Sequence, residues 1–362
     1  MNFHLPYLRK FREEGWTVHA ACGGMAMDIP YADEVIPFPL EKSMRSPGNF
    51  RAAAALREKI KEERYSLITT HTSLAAFFTR LALRGLRERP PVANMVHGYL
   101  FDDGTPWLKR TVLLAAERWM APVTDVVLTM NRWDYEAAVQ YKLGRNVIHI
   151  PGVGVDFSRL HTASADTRRQ LRTELNIPDN AFVLLYAAEF SARKSQAVLI
   201  RAMAQLPEHV VLVLAGDGAL QDECLAQVQR LGVADRVRFP GHVKDMGQWY
   251  DMADAAASAS RIEGLPFNIM EAMHAGLPVV ASDVKGHSDL IADGETGLLY
   301  PYGDEQACAK QIRRLLESED LQRHLGGNGR EKAEQYALEN VFSEVWDAYA
   351  GLSEEGIYAL QR

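Results

Sequence analysis

The feature that most constrains the fold is a regular alternation of short apolar runs with longer segments of helical periodicity. Six runs rich in β-branched and apolar residues precede position 151, from 16–21 to 146–150, and six follow it, from 182–187 to 297–300. Segments with helical spacing, such as 50–64 and 195–205, lie between most of them. Such alternation predicts parallel sheets with helices on both faces. We therefore expect an α/β protein with two six-stranded sheets.

A segment rich in proline and glycine, PGVGVD at 151–156, separates the two sets of runs. Neither a helix interior nor the centre of a sheet accepts such a segment, and a chain of 362 residues is long enough for two domains. We expect an N-terminal domain over 1–153, a second domain over 154–340, and a C-terminal helix over 341–362 that packs back towards the first. Ligands of open α/β sheets bind beyond the carboxyl ends of the strands.

The start of the chain departs from this pattern. An α/β domain normally opens with a strand, whereas Leu5, Leu8 and Phe11 have helical spacing and Pro6 stands near the start. We expect the first strand of the N-terminal sheet and its following turn to be missing, and the native protein to begin upstream of Met1. No apolar run approaches the roughly 18 residues of a membrane-spanning helix, and no signal peptide is evident.

The net charge of -7 is the sum of +4 over residues 1–150 and -11 over the remainder. A basic half suggests that the N-terminal domain faces an anionic partner, although scatter in surface charge would give the same sum. Two features favour the first interpretation: the cluster Arg80, Arg84, Arg87 and Arg89, and the segment TPWLKRTVLLAAERWM at 105–120. Cations mixed with Trp and Leu are typical of interfacial helices; a core helix with a solvated edge has the same composition. The three cysteines indicate buried thiols in a reducing cytoplasm.

The segment SRIEGLPFNIMEAMHA, at 260–275, carries the clearest functional pattern. Its Gly-Leu-Pro step predicts a loop that turns into a helix near Phe267 or Asn268, with Glu263 before the helix and Glu271 on its first turns. The free amides and the dipole of a helix start form an anion site, and carboxylates on either side accept hydrogen bonds from hydroxyls. This arrangement suits a phosphate flanked by two sugars, although two glutamates at this spacing are also common as surface charges.

Taken with AMHAGLPVVASDVKGHSDLIADGETGLLY and the segments LLYAAEFSARKSQAVLIRAM, LVLAGDG, VRFPGHV and MVHGYLFDDG, this motif resembles the retaining glycosyltransferases of family 4. The resemblance covers nearly the whole chain. It implies the GT-B fold, in which two Rossmann-like domains face each other across a cleft. The start of the chain is similar to a subgroup that builds exopolysaccharides and capsules.

The resemblance implies a donor site in the second domain. Arg193 and Lys194 would reach the nucleotide diphosphate, where cations balance the charge that builds on a leaving group. Glu271 would bind the ribose hydroxyls, and Glu263 would contact the donor sugar. The remaining donor-binding residues implied are Gly216, which is alternatively only part of a tight turn, His242 and Val243 for the base, and Gly264, Leu265, Pro266, Phe267 and Asn268.

The expected catalytic residues are His97, Glu263 and Lys194. His97 follows a predicted buried strand, and the resemblance places it against the donor sugar, although a lone histidine there is more often structural. His71 occupies an equivalent place on a neighbouring strand, and His4 lies on the first helix with an equal prospect of being on the surface. Neither a cluster with metal-ligand spacing nor a DxD-type acidic pair is visible. We expect no metal and no cofactor.

The resulting expectation is a glycosyltransferase that moves a hexose or N-acetylhexosamine, with retention, from a UDP-linked nucleotide sugar to a lipid-linked saccharide in polysaccharide biosynthesis. We expect it in the cytoplasm, peripheral at the inner face of the cell membrane, with its N-terminal domain on an anionic membrane surface and without a nucleic-acid partner. Two alternatives stay open: a nucleotide-sugar epimerase of the same fold, and a catalytically silent nucleotide-sugar-binding subunit.

Overall fold

The computed structural model describes residues 4–23, 28–160 and 165–352, so Met1 lies outside the described residues. The chain divides into two compact units. One unit contains the residues up to Gly154 together with those from Val341 onward, and the other spans Val155–Asn340.

The first unit opens with a helix, as the spacing of Leu5, Leu8 and Phe11 predicted. Its elements in chain order are α1 (Leu5–Glu13), β1 (His19–Cys22), β2 (Glu34–Pro37), α2 (Pro47–Glu63), β3 (Ile68–His71), α3 (Ser73–Leu83), β4 (Val92–Val96), α4 (Trp107–Met120), β5 (Val126–Thr129), α5 (Arg132–Tyr141) and β6 (Asn146–His149).

The second unit alternates strands and helices more regularly. Its elements are α6 (Ala165–Glu174), β7 (Phe182–Ala187), α7 (Gln196–Met203), β8 (Val210–Ala215), α8 (Gln221–Arg230), β9 (Val237–Gly241), α9 (Met246–Met252), β10 (Ala255–Ser258), α10 (Phe267–His274), β11 (Val279–Asp283), α11 (His287–Leu290), β12 (Leu298–Pro301), α12 (Glu305–Leu316) and α13 (Glu319–Ala333). The last helix of the chain is α14 (Leu338–Ala350).

The second unit contains one six-stranded parallel sheet in the order β12-β11-β10-β7-β8-β9. This is the strand order of a Rossmann fold, with the first strand of the unit, β7, in the centre. All residues of β8 and β10 are buried. Parallel strands covered by helices on both faces are apolar without alternation, which explains why the sequence predicted their bounds closely.

The expectation of a single six-stranded sheet in the first unit was wrong. Its strands form a two-stranded sheet, β1-β2, and a four-stranded sheet, β3-β4-β5-β6, all parallel. In the second unit β7 is hydrogen-bonded to β8 on one side and to β10 on the other. Among residues 4–23, 28–160 and 165–352 no strand takes the corresponding place between β1 and β3. In the described chain the strands of the first unit are therefore divided between two sheets.

Helix α14 packs against α1 through aromatic side chains, within the first unit. The Tyr7 ring stacks on Phe342 at 5.0 Å between centroids, and the Phe11 ring lies 4.8 Å from that of Trp346. The Tyr7 hydroxyl donates a hydrogen bond to the carbonyl of Val153, at 2.9 Å. These contacts join the two chain segments that make up this unit.

Across the described ranges, no helix has both the length and the apolar character needed to cross a bilayer.

Candidate donor-sugar site

The loops after β7, β8, β9 and β10 lie at one edge of the second unit's sheet, because all four strands are parallel. Backbone hydrogen bonds tie these loops together: the amide of Arg261 donates to the carbonyl of Arg193, and that of Phe190 to Asp217, both within 3.0 Å. Ligands of doubly wound folds bind at this edge.

Three of the predicted residues meet at the centre of this edge. The Glu263 carboxylate accepts hydrogen bonds from Lys194 Nζ through Oε1, at 2.6 Å, and from Arg193 Nη1 through Oε2, at 2.9 Å. The Glu263 side chain is 6% exposed and that of Lys194 12%, whereas that of Arg193 is 46% exposed. Two cations on one carboxylate leave one excess positive charge, with the Arg193 guanidinium facing solvent.

The charges around Glu263 decide its protonation state. Burial by itself would raise the pKa of this carboxyl, but Lys194 and Arg193 outweigh burial and hold the pKa below its ordinary value. Glu263 is therefore an anion whose two oxygens are both engaged by cations. A carboxylate whose two oxygens both accept hydrogen bonds from cations is fixed in place, and it can position a ligand.

A tyrosine that the sequence analysis did not single out supports Lys194. The hydroxyl of Tyr186, on β7, lies 3.0 Å from the carbonyl of Lys194 and 2.9 Å from the hydroxyl of Ser260. The ring is 1% exposed. Tyr186 thus holds the loop after β7 against the loop after β10. A single hydroxyl on the otherwise apolar run FVLLYA is the signal that could have identified it.

A buried histidine, also missed, supports the loop of Glu263. His287 is fully buried, with Nε2 3.1 Å from the Ser258 hydroxyl and Nδ1 2.7 Å from the Ser282 carbonyl. The Ser282 hydroxyl in turn donates to the carbonyl of Ser260, at 2.6 Å. Burial lowers the pKa of His287, so the ring is a neutral structural link between β10 and β11.

Glu271 lies on α10 in a different environment. Its Oε2 accepts a hydrogen bond from the Tyr250 hydroxyl at 2.8 Å, and Tyr250 is 2% exposed. Burial raises the pKa of the Glu271 carboxyl, and the bond from Tyr250 opposes this only in part. Within the described chain Glu271 has no ion-pair partner. A half-buried carboxylate without a cation is a strong acceptor for ligand hydroxyl groups.

Helix α10 begins at Phe267, as the Gly-Leu-Pro step predicted. Its N-cap is Pro266, which provides no side-chain hydrogen bond to the first turn. The Asn268 side chain donates to the carbonyl of Ala187 at 3.1 Å and so holds the helix start at the end of β7. The positive end of the helix dipole is thus directed to the same edge as Lys194.

The remaining predicted donor residues lie on the loops at this edge. Gly216 has φ +137°, and a Cβ there would lie 2.2 Å from the carbonyl oxygen of Ala188. Close approach of two loops therefore explains this glycine independently of any ligand. His242 is exposed and Val243 half-buried directly after β9, while Gly264, Leu265 and Pro266 are buried under the helix start.

In the first unit, His97 directly follows β4 and meets two other histidines. Its Nε2 lies 3.2 Å from Nδ1 of His71, the last residue of β3, and the His4 ring lies 4.0 Å from that of His71. Burial lowers the pKa of His97 to about 4 and, with the neighbouring His97, that of His4 to about 3. Sequence spacing could not show this cluster, since the three residues are far apart along the chain.

Two members of the predicted basic cluster are held in ion pairs, one buried and one half-buried. Arg80 is 0% exposed and pairs with Glu117 at 2.9 Å, and Arg89 pairs with Asp125 at 2.6 Å. The Arg84 guanidinium lies 4.8 Å from the Trp119 ring centroid. Arg80 and Arg89 therefore stabilise this unit and are not free to meet an anionic partner, so the cluster as a whole is not a basic surface.

Comparison with known proteins finds one family model in each half of the chain. The model "Glycosyltransferase Family 4" matches residues 7–159, and "Glycosyl transferases group 1" matches residues 167–332. "Putative glycosyltransferase EpsD" of Bacillus subtilis is 33% identical over 353 residues, covering 96% of this chain and 92% of its own.

Two solved structures show the same fold. Sucrose-phosphate synthase from Thermosynechococcus elongatus has a TM-score of 0.80 at 26% identity, covering 96% of this chain and 92% of its own. Anabaena Alr3699/HepE in complex with UDP-glucose has a TM-score of 0.74 at 25% identity, covering 88% and 86%. The parallel Rossmann-like sheets, the site at the carboxyl edge and these matches together show that this chain is a glycosyltransferase of the GT-B fold and belongs to glycosyltransferase family 4.

Proposed function

We propose that this enzyme transfers a hexose or N-acetylhexosamine from a UDP-sugar to a lipid-linked saccharide, with retention of the anomeric configuration, in exopolysaccharide or capsule synthesis. The acceptor would be met at the inner face of the cell membrane.

The observation that carries the proposal is the cluster of Lys194, Arg193 and Glu263 beside the uncapped start of α10. The two cations and the helix dipole offer positive charge to a diphosphate without a metal ion. Glu271, a half-buried carboxylate without a cation, would accept hydrogen bonds from the ribose hydroxyls. Binding of UDP-glucose by Anabaena HepE supports UDP as the nucleotide.

In the reaction the bond between the sugar C1 and the diphosphate oxygen breaks, and a bond from C1 to the acceptor oxygen forms on the same face. The acceptor proton passes to the departing phosphate oxygen. Lys194 and Arg193 stabilise the charge that develops on this leaving group. Glu263 is unsuited to act as the nucleophile of a double displacement, because both its oxygens are held by cations; it positions the donor sugar instead.

A lipid-linked acceptor is supported by the surface of α4. Trp107, Leu108 and Val112 are 77%, 61% and 61% exposed, and Trp119 is 49% exposed. Leu108, Val112 and Trp119 recur at spacings that place them on one helix face, and Lys109 beside them is exposed. Apolar and aromatic side chains bordered by cations are typical of helices that lie on anionic membranes.

The proposal is tested with the full chain in two steps. A panel of nucleotide sugars is first screened by thermal shift, since at one ligand concentration a tighter ligand raises the melting temperature further. The best donor is then incubated with a lipid-diphosphate-linked saccharide, and the anomeric configuration of the product is determined by NMR. We expect a UDP-sugar to stabilise the protein and to give a product that retains the donor configuration.

Lys194→Ala should lower kcat by roughly 100-fold or more, the usual cost of removing one group that stabilises a developing oxyanion. Lys310→Ala, on the exposed face of α12, is the matched control and should keep wild-type activity. Full activity in Lys194→Ala would remove the assigned site, and an inverted product would contradict retention. Stabilisation by nucleotide sugars without any transfer would contradict the proposed acceptor.

A further inference from the structure

The contacts around Tyr186 and those around His287 belong to one continuous chain of buried hydrogen bonds under the donor edge. The chain runs through β12, α11, β11, β10 and β7 of the second unit. Its side chains are at most 1% exposed; they are those of Tyr186, Ser258, Ser260, Ser282, His287 and Tyr300. So many polar groups at the end of an otherwise apolar parallel sheet call for a reason.

The direction of the hydrogen bonds near Lys194 follows from the carbonyl groups, which can only accept. The Tyr186 hydroxyl donates to the carbonyl of Lys194 at 3.0 Å, so the Ser260 hydroxyl, 2.9 Å away, donates to the Tyr186 oxygen. The carbonyl of Ser260 accepts from the Ser282 hydroxyl at 2.6 Å. Side-chain hydroxyls therefore join the loop after β7, the loop after β10 and strand β11.

His287 continues the chain as one defined tautomer. Burial lowers its pKa, so the ring is neutral. Nδ1 lies 2.7 Å from the carbonyl of Ser282 and must donate to it, so Nε2 accepts from the Ser258 hydroxyl at 3.1 Å. The carbonyl of Ser258 accepts from the Tyr300 hydroxyl at 2.9 Å. All the bonds thus run in one direction, from β12 to Lys194, and bonds in such a chain strengthen one another.

The residue before His287 contacts the other member of the Lys194–Glu263 pair. Gly286 has φ +82°, and a Cβ there would lie 2.5 Å from the carbonyl oxygen of Gly264 and 3.1 Å from the carbonyl carbon of Glu263. The start of α11 therefore packs directly on the Glu263–Gly264 peptide. Glu263 Oε1 in turn accepts from Lys194 Nζ at 2.6 Å. The chain thus holds the main chain on both sides of this ion pair.

Stability alone does not require the chain. Replacing both partners of a buried hydrogen bond by apolar groups of the same shape is often neutral for stability. Position is more demanding, because misplacing a catalytic group by roughly 1 Å can lower the rate about 100-fold. We propose that Tyr186 and His287 are positioning residues of this glycosyltransferase, which hold Lys194 and Glu263 in the geometry that transfer requires.

The inference rests on the proposed role of Lys194 at the leaving group, and steady-state kinetics of the full chain test it. Tyr186→Phe keeps the ring and removes the hydroxyl. It should lower kcat by about 10-fold or more, while KM for the donor and the affinity for UDP, measured by calorimetry, stay as in the wild type. In a Lys194→Ala background the same substitution should have almost no further effect on kcat, because it acts through the lysine.

Tyr336→Phe is the matched control. Tyr336 is 8% exposed, and its hydroxyl donates to the carbonyl of Asp289 at 3.4 Å. The substitution therefore removes a buried tyrosine hydroxyl that donates to a main-chain carbonyl of the same unit. Wild-type kcat is expected, since this hydroxyl donates outside the chain that ends at Lys194.

His287 is tested by a pair of variants and by its tautomer. His287→Leu should lower kcat as Tyr186→Phe does, whereas His287→Asn, which keeps an amide donor in place of Nδ1, should recover most of the activity. In wild-type protein labelled with ¹⁵N-histidine, NMR should show His287 protonated at Nδ1 and unprotonated at Nε2. Its signal is assigned by its absence from the spectrum of His287→Asn.

Four results would each overturn the proposal: unchanged kcat in Tyr186→Phe, an undiminished effect of that substitution in the Lys194→Ala background, no recovery in His287→Asn, or a proton on Nε2 of His287. The kinetics use whichever donor and acceptor the wild type turns over. A different nucleotide, sugar or acceptor would therefore overturn the proposed function and leave this comparison of variants intact.

Discussion

Glu263 and Glu271 stand eight residues apart in one motif, yet their environments move their pKa values in opposite directions. Burial alone would raise the pKa of both carboxyls. Lys194 and Arg193 reverse this effect at Glu263, whereas Glu271 has only a hydrogen bond from Tyr250. Carboxyl groups whose pKa values are shifted in opposite directions are a mark of functional sites. The first is a permanently charged anchor, and the second is sensitive to pH and to ligand.

Glu271→Gln should weaken UDP binding by about 10-fold or more, the usual cost of losing a hydrogen bond to a charged group. Only the ionised carboxylate accepts two hydroxyls, and its raised pKa means that ionisation is lost from a higher pH than for an ordinary glutamate. The UDP affinity of the wild type should therefore fall as the pH drops through that raised pKa, and Glu271→Gln should not show this fall.

Isothermal titration calorimetry at a series of pH values measures this effect. Glu319→Gln is the matched control, because the Glu319 side chain is 84% exposed at the start of α13. The same pH dependence in Glu271→Gln as in the wild type would show that another group is responsible.

At the scale of elements, the site depends on how closely the loops after β7 and β8 approach each other. Gly218 has φ +156°, and a Cβ there would lie 2.4 Å from the carbonyl oxygen of Phe190. The Phe190 amide also donates to the carbonyl of Asp217, at 2.9 Å. Gly216 and Gly218 are thus required by backbone packing that holds the Arg193 loop in place.

Gly218→Ala should lower the free energy of unfolding by about 1–3 kcal/mol, the typical cost of strained backbone, because the added methyl meets main-chain atoms that cannot rotate away. Chemical denaturation measures the change. Gly327→Ala is the control: this glycine lies within α13 with open space around it, and alanine there should be neutral or stabilising by up to about 1 kcal/mol. Equal stability of both variants would contradict the packing argument.

A second prediction at this scale concerns the exposed face of α4 and binding to lipid vesicles. Trp107→Asp together with Leu108→Asp should abolish most binding to vesicles of anionic lipid, while the melting temperature changes little, since both side chains are more than half exposed. Flotation of vesicles at low and high salt measures the binding, and added salt should weaken it in the wild type.

Val139→Asp provides the comparison for that surface. Val139 is an apolar residue of α5 that is 49% exposed, so the substitution adds a negative charge to the same unit, one where the α4 variant adds two. Vesicle binding should survive this change. If Val139→Asp reduces binding as much as the α4 variant does, net charge rather than the α4 face is responsible.

At the scale of the whole molecule, the two units differ in how their strands are distributed between sheets. The second unit has a six-stranded sheet with β7 in its centre, whereas the sheet of the first is divided into two and four strands. The first unit also consists of two chain segments, since the residues from Val341 onward belong to it. Its stability therefore depends on the packing of α14 against α1.

Tyr349→Ala should destabilise the first unit by about 3 kcal/mol, as expected for a large aromatic side chain removed from a core; Tyr349 is 2% exposed and its ring lies 5.9 Å from Phe11. Urea unfolding followed by hydrogen exchange and mass spectrometry separates the units. Peptides of α1 to β6 should lose protection at lower urea, while those of β7 to β12 keep theirs. Uniform loss across both units would show that the chain unfolds as one.

The sequence alone determined the order of the elements and the chemistry of the donor edge. Runs 92–96, 182–187, 210–215 and 255–258 are strands with the predicted bounds, because fully buried parallel strands are apolar throughout. Glu263 and Glu271 could be proposed from the residues because loop and helix starts have local signals in glycine, proline and charge, whereas Lys194 was implied by the family resemblance.

Only the tertiary structure decided which distant residues meet. The divided first sheet, the internal ion pairs of Arg80 and Arg89, the support of Lys194 by Tyr186, and the convergence of His4, His71 and His97 all join segments far apart along the chain. Periodicity reports which face of an element is buried, whereas these contacts depend on strand order and helix packing. That is why the loop and helix start of the candidate donor site could be predicted from a motif and the histidine cluster could not.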